Sequence, residues 1–138
     1  MATYNKFRQF TDDLASGVHN FATGAITVAL TAAANAPVNT NSVLADLTQI
    51  SYTNLSARVI TISSVTQTAG VCSVVATDLV LTASGGSVAP FRYICIYNDT
   101  PSSPADPLIC WFDYGSDLTL ASGETLTLNF GTELFTIT

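Results

Sequence analysis

The sequence predicts a mainly β fold, a single-domain antiparallel β-sandwich or jelly-roll-like architecture over 1–138, with one N-terminal amphipathic helix. Three observations carry that expectation. Beyond residue 23 the chain breaks into seven to nine short runs rich in Val, Ile, Thr and aromatic residues, punctuated by Gly, Asn, Asp and Pro. Helical periodicity is confined to the N-terminus. With 138 residues, the chain is long enough to bury one ordinary core without metal or disulfide staples.

The helix is read over 4–18, where Phe7, Phe10, Leu14 and Val18 recur at spacings of three, four and four and form one apolar stripe. Lys6, Gln9, Asp12, Asp13 and Ser16 fall on the other faces, and Gly17 stands where a short helix would stop. Such a helix either packs on its own domain or docks on a neighbouring subunit, and periodicity does not separate the two.

The β region is read over 24–138. It opens with "GAITVALT" (24–31) and a turn-rich loop, after which "VLADLTQI" (43–50) is ambiguous between a helical turn and a strand. Two or three strands follow within 57–86, with turns at 68–70, near Asp78 and at Gly85-Gly86. The remaining runs are "FRYICIYN" (91–98), "LICWFDYG" (108–115), "DLTLA" (117–121), "ETLTLNF" (124–130) and "LFTIT" (134–138). The first two should form a hairpin closed by the proline-containing loop between them. Strict alternation puts Phe91, Tyr93, Cys95 and Tyr97 opposite Arg92, Ile94, Ile96 and Asn98, and Leu108, Cys110, Phe112 and Tyr114 opposite Ile109, Trp111 and Asp113. Neither strand has a wet face, as expected of strands that pair a core face with a second buried face or a subunit contact. Phe7, Phe10, Leu14, Ile94 and Trp111 are therefore the candidate interface residues.

Only 10% of residues are charged, and ten carboxylates face four scattered cations, Lys6, Arg8, Arg58 and Arg92, for a net charge of −6. This argues against a nucleic-acid surface, which needs grouped cations. The polarity is mostly hydroxyl, and hydroxyls are cheaper to bury than charges, which suits contact with other proteins. No apolar run reaches the roughly 20 residues of a membrane span, and the N-terminal segment lacks a signal peptide's apolar core. The expectation is a soluble protein synthesised in the cytoplasm, for which the acceptor patterns at Asn54 and Asn98 are chance matches.

No residue set promises chemistry, so no catalytic, cofactor-binding or metal residue is expected. Cys72, Cys95 and Cys110 lack zinc-site spacing and read as buried thiols, with a Cys95–Cys110 disulfide across the hairpin as the alternative. His19 lies near Asp12, Asp13 and Ser16, but no nucleophile elbow accompanies it, and its simpler role is a cation at the helix C-terminus. Asp113 with Asp117 and Asp99 with Asp106 are the carboxylate pairs to weigh for acid–base work. Asn98, Asp99 and Asp106 could surround calcium, though without regular ligand spacing.

Three pieces, "MATYNKFRQFTDDLASGVHNF", "AITVALT" with "VLADLTQI", and the block from "TASGG" to "TLNF", together resemble a family of small bacteriophage virion structural proteins. Residues 85–114 are the most specific part, with "GGSxxPFRY" followed by "YNDT" and "DPLIxxxDYG". The resemblance implies a non-enzymatic accessory capsid protein of the decoration or cement type. Such a protein would be made in the bacterial host cytoplasm, sit on the outer capsid surface against the major capsid protein, and self-associate, a trimer being the expected form. The alternatives are a tail or connector protein, or a carbohydrate-binding, adhesin-like sandwich on the virion presenting Tyr93, Tyr97, Trp111 and Tyr114.

Overall fold

A computed structural model describes residues 2–138 and has three antiparallel sheets. In chain order the elements are β1 (Asn5–Lys6), α1 (Gln9–Ala15), β2 (Ile26–Thr31), β3 (Ile62–Thr68), β4 (Val71–Ala76), β5 (Leu79–Thr82), β6 (Phe91–Asn98), β7 (Leu108–Leu118), β8 (Thr125–Leu128) and β9 (Phe135–Ile137). The sheets have the orders β1-β7-β6-β2, β3-β4-β9 and β5-β8. The mainly β, sandwich-like class read from the sequence is therefore the observed one. One hydrophobic cluster draws on all three sheets, with Val28, Ile96 and Ile109 from the first, Val74 and Phe135 from the second and Leu81 from the third.

The N-terminal helix is shorter than its periodicity suggests. Asn5 and Lys6 pair instead with Trp111 and Cys110, because the outer edge of β7 offers unpaired backbone groups that an extended segment satisfies. Phe7 continues this attachment through its N–H, which donates to the Ile109 carbonyl at 3.2 Å. The helix then runs only over Gln9–Ala15 and ends before Gly17, whose φ of +77° suits glycine. Its buried side chains are Phe10 and Asp13, so it packs on its own chain.

β2 is buried along its whole length. It pairs with β6 on one side, and its other edge is closed by irregular chain: Val28 N–H donates to the Arg58 carbonyl, Ile60 N–H to Ile26, and Ile50 N–H to Leu30. The ambiguous segment 43–50 resolves into a 3₁₀ turn at Leu44–Asp46. The Asp46 carboxylate closes that turn by accepting from the Ser42 and Val43 N–H groups, which hold its carboxyl below the usual carboxylate range.

Strands β3, β4 and β5 are the two or three runs predicted within 57–86, and the Ala69-Gly70 corner between β3 and β4 has positive φ at both positions, as a tight hairpin requires. At the second predicted glycine turn, a Cβ on Gly86 would lie 2.6 Å from Asn54 Nδ2, whose amide donates to the Ser87 carbonyl. The expected strand at 117–121 does not form separately, because β7 continues to Leu118 and pairs there with Phe91.

Candidate functional site

The β6–β7 hairpin is the structural centre, and two register shifts decide what each of its faces presents. Tyr97 pairs with Leu108 but Ile96 pairs with Cys110, so Ile109 is an extra residue and side-chain alternation changes parity there. Ile109 consequently joins Cys110 and Phe112 in the main cluster, while Leu108 joins Trp111 on the opposite face. The second shift lies between Phe91 and Tyr93 and turns Phe91 into the main cluster with Ile94 and Ile96. The two faces predicted by strict alternation are thus corrected at Phe91, Leu108 and Ile109.

Both faces of the hairpin are buried over Ile94–Asn98 and Leu108–Cys110, where the cover comes from the chain itself, while β7 is exposed from Tyr114 to Asp117. On the second face Phe7, Ala29, Cys95, Tyr97 and Leu108 form a small core, against which Leu44, Leu47 and Trp111 pack. The Trp111 ring lies 4.6 Å from that of Phe7. Phe7 is fully buried, and Phe10 and Ile94 nearly so. These side chains are consumed by intramolecular packing, and the five candidate interface residues do not come together as one patch. Phe7 and Trp111 occupy the second face, Phe10 and Leu14 the floor of a cleft beside β9, and Ile94 the floor of a neighbouring groove.

That cleft, about 540 Å³, lies between α1 and β9. The groove, about 510 Å³, runs between the first sheet and β8, lined by Phe112, Tyr114, Leu126 and Leu128, and both share Tyr4, Glu133 and Leu134. Burial raises the Tyr4 phenol far above its ordinary range, so it stays neutral. The concavity is lined mostly by apolar side chains, with Glu133 the carboxylate that both recesses share.

The other candidates do not assemble into one site; of the two carboxylate pairs weighed, Asp99 and Asp106 do meet, and burial together with the hydrogen bond and charge of Asp99 raises the Asp106 carboxyl above its ordinary range. Cys95 and Cys110 are free and lie on opposite faces of the sheet, since Cys95 pairs with Trp111 rather than with Cys110. The hairpin disulfide is therefore excluded geometrically, and burial pushes the Cys95 thiol up to about 12. Asp113 is held by Arg92 in a bidentate pair at 2.8 and 3.0 Å and accepts from Gly115 N–H, which keeps its carboxyl below the usual range. Asn98 is buried and turned toward His19 and Thr100, away from a calcium-binding role beside Asp99 and Asp106. Among the described residues no three His, Cys, Asp or Glu side chains converge as metal ligands. Among the described residues no helix is long and apolar enough to cross a membrane.

His19 departs from its expected place as a helix-terminal cation. Its ring is buried, stacked on Phe21 at 5.5 Å and edge-on to Phe10 at 5.2 Å, with Nδ1 3.3 Å from the Asn98 amide and Nε2 unpartnered. Burial lowers its pKa, opposed by the charge of Asp13, so the ring is neutral rather than cationic.

Sequence reasoning also missed Arg58. Its guanidinium lies 3.6 Å over the Tyr52 ring and donates to the Val28 carbonyl, while Tyr52 Oη accepts from Leu30 N–H at 2.9 Å. Together these residues clamp the irregular chain onto β2. Its only sequence signal is a lone arginine six residues after a tyrosine in a low-charge chain, too general to single out.

Compared with protein-family models, curated proteins and solved structures, the chain matches none of them.

Proposed function

We propose that this chain is a non-enzymatic structural protein of a bacteriophage virion, a decoration or cement protein on the outer capsid surface that stabilises the shell by bridging subunits of the major capsid protein. The observation that carries the reading is the block 85–114, which resembles small phage structural proteins and supplies β6 and the buried start of β7. The block spans both strands of the hairpin together with the loop that joins them. The exterior supports it physically: a hydroxyl-rich surface with few ions is inexpensive to desolvate against another protein. A net charge of −6 favours the outside of a shell whose interior holds polyanionic DNA.

A cement protein acts by spanning boundaries, so that parting two capsid subunits also breaks its own contacts. Specific interfaces bury roughly 1,200–2,000 Å², and repetition over a closed shell turns a modest gain per copy into a large total. Particles lacking the protein should release DNA at a lower temperature than complete ones, and adding purified protein back should restore the difference. Equal release temperatures in a dye-accessibility melt would refute the cementing role.

The glycan-binding alternative keeps one specific observation. Tyr97 is buried and Trp111 packs at a tilt against Phe7, but Tyr114 is 47% exposed and lines the groove with Asn129. A glycan array without hits would remove it.

A further inference from the structure

The edges of the three sheets are not equally protected. β1 is two residues long and carries Lys6, and the outer edge of β2 is closed by hydrogen bonds from 50–60. Beside β5, Ser56 N–H donates to the Thr82 carbonyl and Ser56 Oγ accepts from Thr82 N–H. β8 and β9 have four and three residues, β8 directly after Glu124. Shortness, charge and covering are the usual means of preventing strand addition.

β3 lacks all of them. It has seven residues and one strand neighbour, β4, and it is exposed from Val65 to the hairpin tip. Residues 59–77, which include the whole β3–β4 hairpin, contain no charged residue and no proline. The register shift between Ile62 and Ser64 is confined to the base, leaving 64–68 as a regular ladder whose outward N–H and C=O groups face solvent.

We infer that β3 is a self-association edge, pairing antiparallel with β3 of a second copy about a twofold axis at Thr66. The run then faces its own reverse: Thr66 meets Thr66, Val65 meets Gln67 and Ser64 meets Thr68. Cross-strand hydroxyl pairs of this kind stabilise sheets, and no like charges meet. The charge distribution selects a second copy as the occupant. Two chains of net charge −6 repel each other, and this hairpin lies within a 19-residue uncharged stretch, 59–77, where they meet without opposing carboxylates. The product is a six-stranded sheet, β9-β4-β3 continued by β3-β4-β9 of the second copy. It is an isologous dimer in place of the trimer expected from the sequence, and it does not depend on the virion role.

The edge contact is smaller than a standard interface, so the dimer is concentration-dependent. Sedimentation equilibrium from about 10 μM to about 1 mM should show a monomer–dimer equilibrium. Thr66→Lys, which sets two ammonium groups opposite each other, should weaken it by about tenfold or more. Thr127→Lys on the β8 edge should leave it unchanged. In a Cys72→Ser background, Thr66→Cys should form a disulfide-linked dimer on mild oxidation, since directly opposed Cα atoms lie about 4.5–5.5 Å apart. Circular dichroism confirms that each variant folds. A monomer throughout the range, a trimer, or a dimer indifferent to Thr66→Lys would each overturn the proposal. So would a monomer whose attachment to particles alone is lost on Thr66→Lys, because the edge would then take a strand from a different protein.

Discussion

His19 is the chain's single histidine, and its surroundings make it a reporter of proton-linked stability. Phe10 and Phe21 flank the ring, and the unpartnered Nε2 gains nothing from a proton that the neighbouring apolar rings cannot solvate. Its folded pKa lies below the ordinary value of 6.5 because burial outweighs the attraction of Asp13. As pH falls through about 6.5, the unfolded chain therefore takes up a proton that the folded chain does not. Stability from this group is complete above that pH and declines below it. The thermal midpoint should drop by a few degrees between pH 7.5 and 5.5, and His19→Gln should flatten that slope. A proton NMR titration of the one imidazole should give a midpoint below 6.5; a midpoint above it would show that Asp13 dominates. Sequence periodicity placed His19 at a helix terminus, but burial against Phe21 and Asn98 is a long-range fact that local spacing does not carry.

At the scale of elements, the second face of the hairpin shows what could and could not be read in advance. The limits of β6 follow directly from its apolar run, and two-sided burial of the hairpin is visible in its lack of a wet face. The register shift at Ile109 is not visible, because any residue of that run could have been the extra one. Helical periodicity misled over 4–8, where Phe7 fits the stripe of a helix yet serves as a plug beneath β1. That plug makes a direct test. Phe7→Ala should cost about 3–5 kcal/mol, the range for emptying a fully buried aromatic site, measured as a lower urea midpoint. It should also shift the emission of the single tryptophan, whose ring rests on Phe7. Trp111→Ala should cost less, because that side chain is only partly buried. Equal losses in the two variants would mean that the second face owes its stability to Trp111 as much as to Phe7.

For the whole molecule, the sparsity of charge governs how solution conditions act. Composition alone made this sparsity legible, whereas the identity of the protected and unprotected edges needed the tertiary structure. Among the described residues there is one ion pair, Arg92–Asp113, and it is partly exposed, so salt has little specific attraction to weaken. It has a net charge of −6 to screen, and the Debye length falls from roughly 20 Å at 20 mM to about 7 Å at 200 mM. Screening should therefore relieve repulsion more than it costs attraction. The thermal midpoint should rise by a degree or two over that range of sodium chloride, read by scanning calorimetry, and replacing Asp113 with Asn should leave the rise in place. A midpoint that falls with salt would mean that charge pairs more favourable than Arg92–Asp113 hold the fold together. Repulsion between copies is screened by the same salt, so self-association through the uncharged β3 edge should strengthen as the monomer becomes more stable, and both trends should follow one ionic-strength curve.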